Sequence, residues 1–426
     1  MAEKIASLNV DFNDEIIWCE DFGYAQYDED KIRLLIERAA NSGFNRLLWR
    51  ISVCGKVDYP SKVEDVFDYT CHGKIPISDD FDPLKIAAKY ARQFGLEIYA
   101  WMTLYDDNPA VMHNGKCDMA SVLCRTHPEW QLISRDGQEY YEGVFCYAYP
   151  GVREHKLAIL NELSQYDIDG VLLSTRHHSR TQEFWDKSME YIDGKITFEE
   201  LDKYAQSVRD NFGFNDPIVE EYKRRYGKDI RREDFDKHLW NKLRGEYLTL
   251  FLQQARELLR ANGKQLSMMV KDENRDTSKG GHQLGWILSD LYTDWEQWVA
   301  EGIVDELCIY DEERLTWWNF RKENWWEGAL DFLERYRSVA GENVRLLLWL
   351  DLWTAEWRTN PTYLEKYDSP AKPWHRSAYA DTKPPEVIEK MIYATIESLA
   401  DGFTLHEAQN IEWFSLWGCV KGTLKR

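Results

Sequence analysis

Two rhythms of apolar residues alternate along the chain. Short apolar runs of strand length are separated by stretches whose apolar positions recur every three to four residues, the helical period. Ile16-Ile17-Trp18 reads as a first strand. A helix follows from about Asp28 to Asn41, with Ile32, Leu35, Ile36 and Ala39 on one face and Gly43 as its stop. Asn45–Val53 (NRLLWRISV) is a second strand. Asp82-Pro83 caps and opens the next helix, which ends at Gly95. Leu96–Thr103 (LEIYAWMT) is a third strand, followed by a loop carrying His113, His127 and Trp130. The stretch PGVREHKLAILNELSQY is a helix that feeds the fourth strand, Val171-Leu172-Leu173, within YDIDGVLLSTRHHSR. Leu266–Lys271, Ile303–Tyr310, Val344–Leu352 and Gly402–Ala408 supply four more strands. Helices lie between them at about Asp236–Asn262, Leu291–Glu301, Asn324–Ala340 and Pro385–Ala400.

Eight strands alternating with helices specify an α/β fold, a (β/α)8 barrel occupying residues 1–426 as a single domain. A helical insertion, residues 180–236, follows strand four and reads as a cap beside the barrel mouth. A doubly wound nucleotide-binding sheet would need a glycine-rich phosphate turn, and neither GxGxxG nor GxxxxGK[ST] is present.

Composition changes this picture in three ways. Hydrophobic content of 44% and charged content of 30% suit a soluble globular chain. No apolar run reaches about 18 residues, so no transmembrane helix is expected. The N-terminus MAEKIASLNVDFND has no basic region leading into an apolar core, so it is not a signal peptide. A cytoplasmic protein and an exported one lacking its leader remain equally compatible. The net charge of −21 argues against nucleic acid, whose phosphates need basic patches, and against an anionic membrane surface. Eight scattered cysteines form no CxxC pair, so a zinc site is not expected; several, Cys19 and Cys308 among them, lie in apolar strand-like runs and read as small buried hydrophobes, which favours a reducing compartment. Nineteen Trp, 24 Tyr and 17 Phe make the chain 14% aromatic, and many of the Trp stand where strands end. A sugar offers apolar C–H faces to aromatic rings and hydroxyls to carboxylates and arginines, so an acidic, Trp-rich barrel points to carbohydrate.

In a barrel, residues at the C-terminal ends of all strands share one mouth. The first strand then offers Glu20 and Asp21, the second Arg50 and Ser52, the third Trp101, Tyr105, Asp106 and Asp107. The fourth offers Ser174, Arg176, His177 and His178; the fifth Lys271, Asp272, Glu273 and Arg275; the sixth Tyr310, Asp311 and Glu312. The seventh offers Trp349, Asp351 and Trp353, and the eighth His406, Glu407, Gln409 and Asn410. This is a ring of carboxylates with aromatics between them. Glycosidases need two carboxylates across a sugar, one a protonated acid and one a nucleophile or base. Asp311 and Glu407 are the expected pair, with Asp272 and Asp351 in reserve. Arg176, His177, His178 and Arg50 would hold hydroxyl or acidic groups, and Trp101, Trp349 and Trp353 would stack on rings. His177 and His178 could ligate a metal, but the first strand lacks a His-x-His pair, so no metal or other cofactor is expected. The expected partner is a carbohydrate substrate; the oligomeric state is open.

The segments FDPLKIAAKYARQFGLEIYAWMT, PGVREHKLAILNELSQYDIDGVLLSTRHHS, FGFNDPIVEEYKRRYGKDI and WEQWVAEGIVDEL, in this order, resemble the bacterial family-10-like glycosyl hydrolases. The resemblance spans roughly residues 20 to 415. It implies a barrel acting on polysaccharide or oligosaccharide. One departure stands out: relatives often carry an acid on strand four, in a pattern like DGIHLDDY, where this chain has Ser174 in DGVLLSTRHHS. The DxxDxDxE signature of chitinase-like barrels is missing too. The acid and nucleophile therefore do not transfer from the resemblance. A non-catalytic carbohydrate-binding barrel that has lost the strand-four acid is the competing expectation.

Overall fold

The structure is a computed structural model that describes residues 4–53, 55–107, 118–175, 210–270, 292–310, 330–352 and 383–425, with isolated positions between 187 and 207. Eight parallel strands close into a barrel. In chain order they are β1 (Ile5–Asp11), β2 (Arg46–Arg50), β3 (Glu97–Thr103), β4 (Gly170–Ser174), β5 (Gln265–Val270), β6 (Glu306–Ile309), β7 (Arg345–Asp351) and β8 (Gly402–His406). Each pairs with its sequence neighbour, and β8 returns to β1 with Ser7 opposite Thr404. Gly402 stands on that closing seam because a Cβ there would lie 2.1 Å from the Ile5 carbonyl oxygen.

Seven of the expected strands are present close to their expected positions, and the first is corrected. Ile16 and Ile17 belong to a short helix, Phe12–Ile17, while the first strand is Ile5–Asp11. The reason is the environment of its two faces. Ala6, Leu8 and Val10 face the helical layer and join the main core, so by the alternation of a strand Ser7, Asn9 and Asp11 face the barrel interior. A strand whose inner face is small and polar does not read as a continuous apolar run. Glu20 consequently lies away from the strand ends and pairs with Lys74 at 2.7 Å.

Helix ends follow their local chemistry. Asp28, Asp82 and Asp236 cap the helices Glu29–Ser42, Pro83–Phe94 and Lys237–Ala261, each accepting from the backbone N–H three residues on. Gly43 and Gly95 end the first two in the left-handed conformation, at φ 100° and 73°. Of the three helices expected within the insertion, the last is present as Asp216–Tyr226; much of the stretch before it lies outside the described residues.

Packing separates two cores. Outward residues of the strands, such as Leu47, Ile98, Leu173 and Leu348, pack under the helices. Inward residues Leu48, Tyr99, Trp101, Leu172, Met269, Cys308, Tyr310 and Trp349 fill the barrel itself. Burying one such side chain contributes about 1.5–3 kcal/mol, so the filled interior is a main source of rigidity below the mouth. The opposite end is closed by charge: Arg46 is fully buried and bonded to Glu306 and Glu97, each at 2.7 Å. Cys19, Cys124, Cys146, Cys308 and Cys419 are thiols, as expected, but Cys71 is disulfide-bonded. Sulfur pairing depends on where the fold brings residues together, which linear spacing does not reveal.

Candidate active site

Register sets the mouth. Asp351 at the end of β7 stands opposite His406 at the end of β8, and Asp11 at the end of β1 stands opposite Arg50 at the end of β2. Both pairs face inward, and each becomes a hydrogen-bonded unit.

On the β7–β8 side, His406 Nδ1 bonds Asp351 Oδ1 at 2.8 Å, and His406 Nε2 lies 3.3 Å from Glu407 Oε2. One imidazole thus ties two carboxylates together. Trp349 donates its indole N–H to the same Asp351 oxygen at 3.0 Å. Lys383, fully buried, donates to the Asp351 carbonyl at 2.6 Å. Burial alone would lower the basicity of His406, but the charge of Glu407 and the hydrogen bond to Asp351 outweigh it and push its pKa up to about 9. Burial likewise opposes the ionisation of Asp351, yet the hydrogen bond and charge of His406 hold it below the usual carboxylate range. His406 is therefore an imidazolium between two acids at neutral pH. Lys383 is shifted the other way, down to about 8, by burial.

On the β1–β2 side, Arg50 is bonded to Asp11 and reaches Asp106 at 3.3 Å, with its guanidinium 5.0 Å from the centre of the Trp101 ring. Glu407 joins the two sides. One carboxylate oxygen from each of Asp11, Asp14 and Glu407 lies within 4.8 Å of the others. These three could hold a cation, although Arg50 already neutralises Asp11 and His406 already faces Glu407. Glu407 is the residue that caps the helix Ala408–Trp413, but its side chain accepts no capping hydrogen bond. Its carboxylate is thus held by side chains at the mouth and not consumed by the helix. Glu15 lies near it, fully buried, and its carboxyl is pushed well above the usual range by burial and by the charges of Glu412, Glu407 and Asp14.

The structure brings together Arg50, Trp101, Trp349, Asp351 and Glu407 from the expected set. Trp101 and Trp349 are 0% and 2% exposed; their rings meet edge to face at 5.2 Å, and Trp349 also lies 4.9 Å from the His406 ring. They form the floor under the carboxylates. Ser174, at the end of β4, accepts the Trp101 indole N–H at 3.0 Å. Arg176, His177, His178, Asp272, Asp311 and Trp353 lie outside the described residues. Asp11 was missed because β1 was misplaced. The polar positions of IASLNVD, alternating with apolar ones, were the signal for it. His406 was visible at its strand end, but its bridging role depends on two side chains brought in by register.

Among the described residues, no helix is long and apolar enough to cross a membrane. Residues 7–326 match the family described as Glycosyl hydrolase-like 10. No curated protein matches the chain. Among solved structures, the PgaB (BpsB) glycoside hydrolase domain from Bordetella bronchiseptica is similar with a TM-score of 0.57 at 11% identity, over 99% of this chain and 98% of that one. The catalytic domain of β-amylase from Paenibacillus polymyxa is similar with a TM-score of 0.56 at 11% identity, over 99% of each chain. These identities speak for the shared barrel fold. The family match covers most of the sequence, and the chain belongs to the glycosyl hydrolase-like 10 family.

Proposed function

We propose that this protein hydrolyses glycosidic bonds of a polysaccharide or oligosaccharide at the C-terminal mouth of the barrel. The observation that carries this reading is Glu407: a carboxylate fixed by an imidazolium, free of helix capping, and set beside Asp11 where β8 meets β1. Cleavage requires a proton on the leaving glycosidic oxygen and a carboxylate, or a water it activates, at the anomeric carbon. Glu407 serves as one of the two groups. Asp311, next after Tyr310 beyond the end of β6, serves as the other, with Asp272 in reserve. Asp351 is bonded on several sides and acts through His406 as a positioning residue. Arg176, His177 and His178 bind hydroxyls, and Trp353 stacks on a sugar ring.

One observation favours a second reading. Where relatives often carry an acid on strand four, Ser174 is buried and bonded to Trp101. That arrangement suits a barrel that binds carbohydrate without cleaving it. Reducing-end release by the purified protein across a panel of polysaccharides, measured beside calorimetric binding to the same panel, separates the two. Release from at least one binding polymer is expected. Binding without release from every polymer bound would replace hydrolysis by recognition.

A further inference from the structure

Away from the mouth, three rings are arranged in a way that packing alone does not require. His127 and Trp130 are stacked at 3.7 Å between centres and 4° between planes. Trp130 and Tyr149 continue the series at 5.9 Å and 20°. All three are only partly buried, whereas Trp49, Trp101, Trp240, Trp295, Trp298 and Trp349 are fully buried.

The series is held rigidly. The Trp130 backbone N–H donates to the His127 carbonyl at 3.1 Å, and its own carbonyl accepts from Cys146 at 2.9 Å. Gly151 lets the indole lie flush on the first turn of the helix Pro150–Leu163, because a Cβ there would sit 2.3 Å from Trp130 Cη2. Glu129 fixes the outer ring by bonding His127 Nδ1 at 3.1 Å. Location follows from topology. The chain leaves β3 at its C-terminal end and enters Pro150–Leu163 at its N-terminal end, so the segment that carries His127 and Trp130 joins the barrel on its mouth side.

We infer that the His127, Trp130 and Tyr149 rings form a second carbohydrate platform, outside the barrel on the mouth side, that holds a neutral glycan chain. This rests on the reading of the protein as carbohydrate-active. Stacked at 3.7 Å, His127 and Trp130 cover each other's inner faces, so a sugar's C–H groups meet the outer, part-exposed face of the stack, and a carboxylate at its edge offers acceptors to hydroxyls. Glu129, 55% exposed and bonded to His127, supplies that edge. The same acid, on a chain of net charge −21, disfavours a polyanionic glycan.

Affinity electrophoresis through gels cast with a β-glucan, a xylan, a mannan or a galactan tests this, using the parent, Trp130→Ala and His127→Ala. At least one of these polymers should retard the parent. Trp130→Ala should weaken that retardation about three- to tenfold, since a lost ring contact of this kind is worth about that factor. His127→Ala alters a ring that is 41% exposed and stands outermost in the stack, so it reports on binding even where Trp130→Ala disturbs folding, and it should weaken retardation in the same direction. Retardation is read without turnover, so failure of the hydrolysis reading leaves this result standing. Parent-like retardation of both ring variants, or no retardation of the parent by any of the four polymers, overturns the platform.

Discussion

His406 shows how much a single side chain can organise. Its two nitrogens reach Asp351 and Glu407, and both acids favour its charged form. The folded pKa, about 9, lies above the ordinary value of 6.5. The stabilisation from this proton is therefore complete below about pH 6.5 and fades as pH rises through about 9. Replacing His406 by Gln should cost about 3–5 kcal/mol at pH 6, because it strips a buried charge from its partners. It should also flatten the fall in melting temperature between pH 6.5 and 9. Lys383, with a folded pKa near 8 against an ordinary 10.5, gives the opposite slope above pH 8 in both proteins, so the difference between them isolates His406. Parallel pH profiles for parent and variant would show that the imidazole carries no such proton.

Among the elements, the hairpin that follows β2 (Ser52–Val53 with Lys56–Val57) leads into a buried network next to Arg50 and Asp11. Asn13 donates to the Tyr69 hydroxyl at 3.0 Å, and Tyr69 donates to Asp58 at 2.7 Å. Burial pushes Asp58 up to about 7, with the charge of Asp11 adding to it, against the opposing effects of Tyr69 and Arg50. A carboxyl raised from 3.8 to about 7 contributes stability in full below pH 3.8 and loses it as pH rises through 7. Asp58→Asn keeps an acceptor for Tyr69 and removes the charge. The melting temperature of the variant, relative to the parent, should climb between pH 4 and pH 7; a constant difference would contradict the account. Sequence reading found most elements because helix periodicity, caps and continuous apolar runs are local signals. It failed at β1 because the inner face of that strand, Ser7, Asn9 and Asp11, is polar, so the strand presents no apolar run. The Asp58 network was out of reach for a different reason: Asn13 and Tyr69 are 56 residues apart, and only the closed barrel brings them together.

At the scale of the molecule, the barrel separates a closed, charged end from a carboxylate-lined mouth. The Arg46–Glu306–Glu97 cluster closes one end, the aromatic interior fills the middle, and the carboxylates collect at the other end. The fold class and the end of the barrel at which the mouth carboxylates collect follow from strand order alone. Strand order does not say how each carboxylate is held: Asp351 and Glu407 both follow apolar runs, and only hydrogen bonds tell them apart. Asp351 is bound by Trp349 and His406, while Glu407 has His406 on one side and the Asp11 side of the mouth on the other. The most direct measurement is turnover by Glu407→Gln on a glycan that the parent cleaves, beside its affinity for that glycan. Turnover should fall by about 10² or more with affinity little changed, as expected for loss of a reacting acid or base. Turnover within about threefold of the parent would contradict the assignment of Glu407.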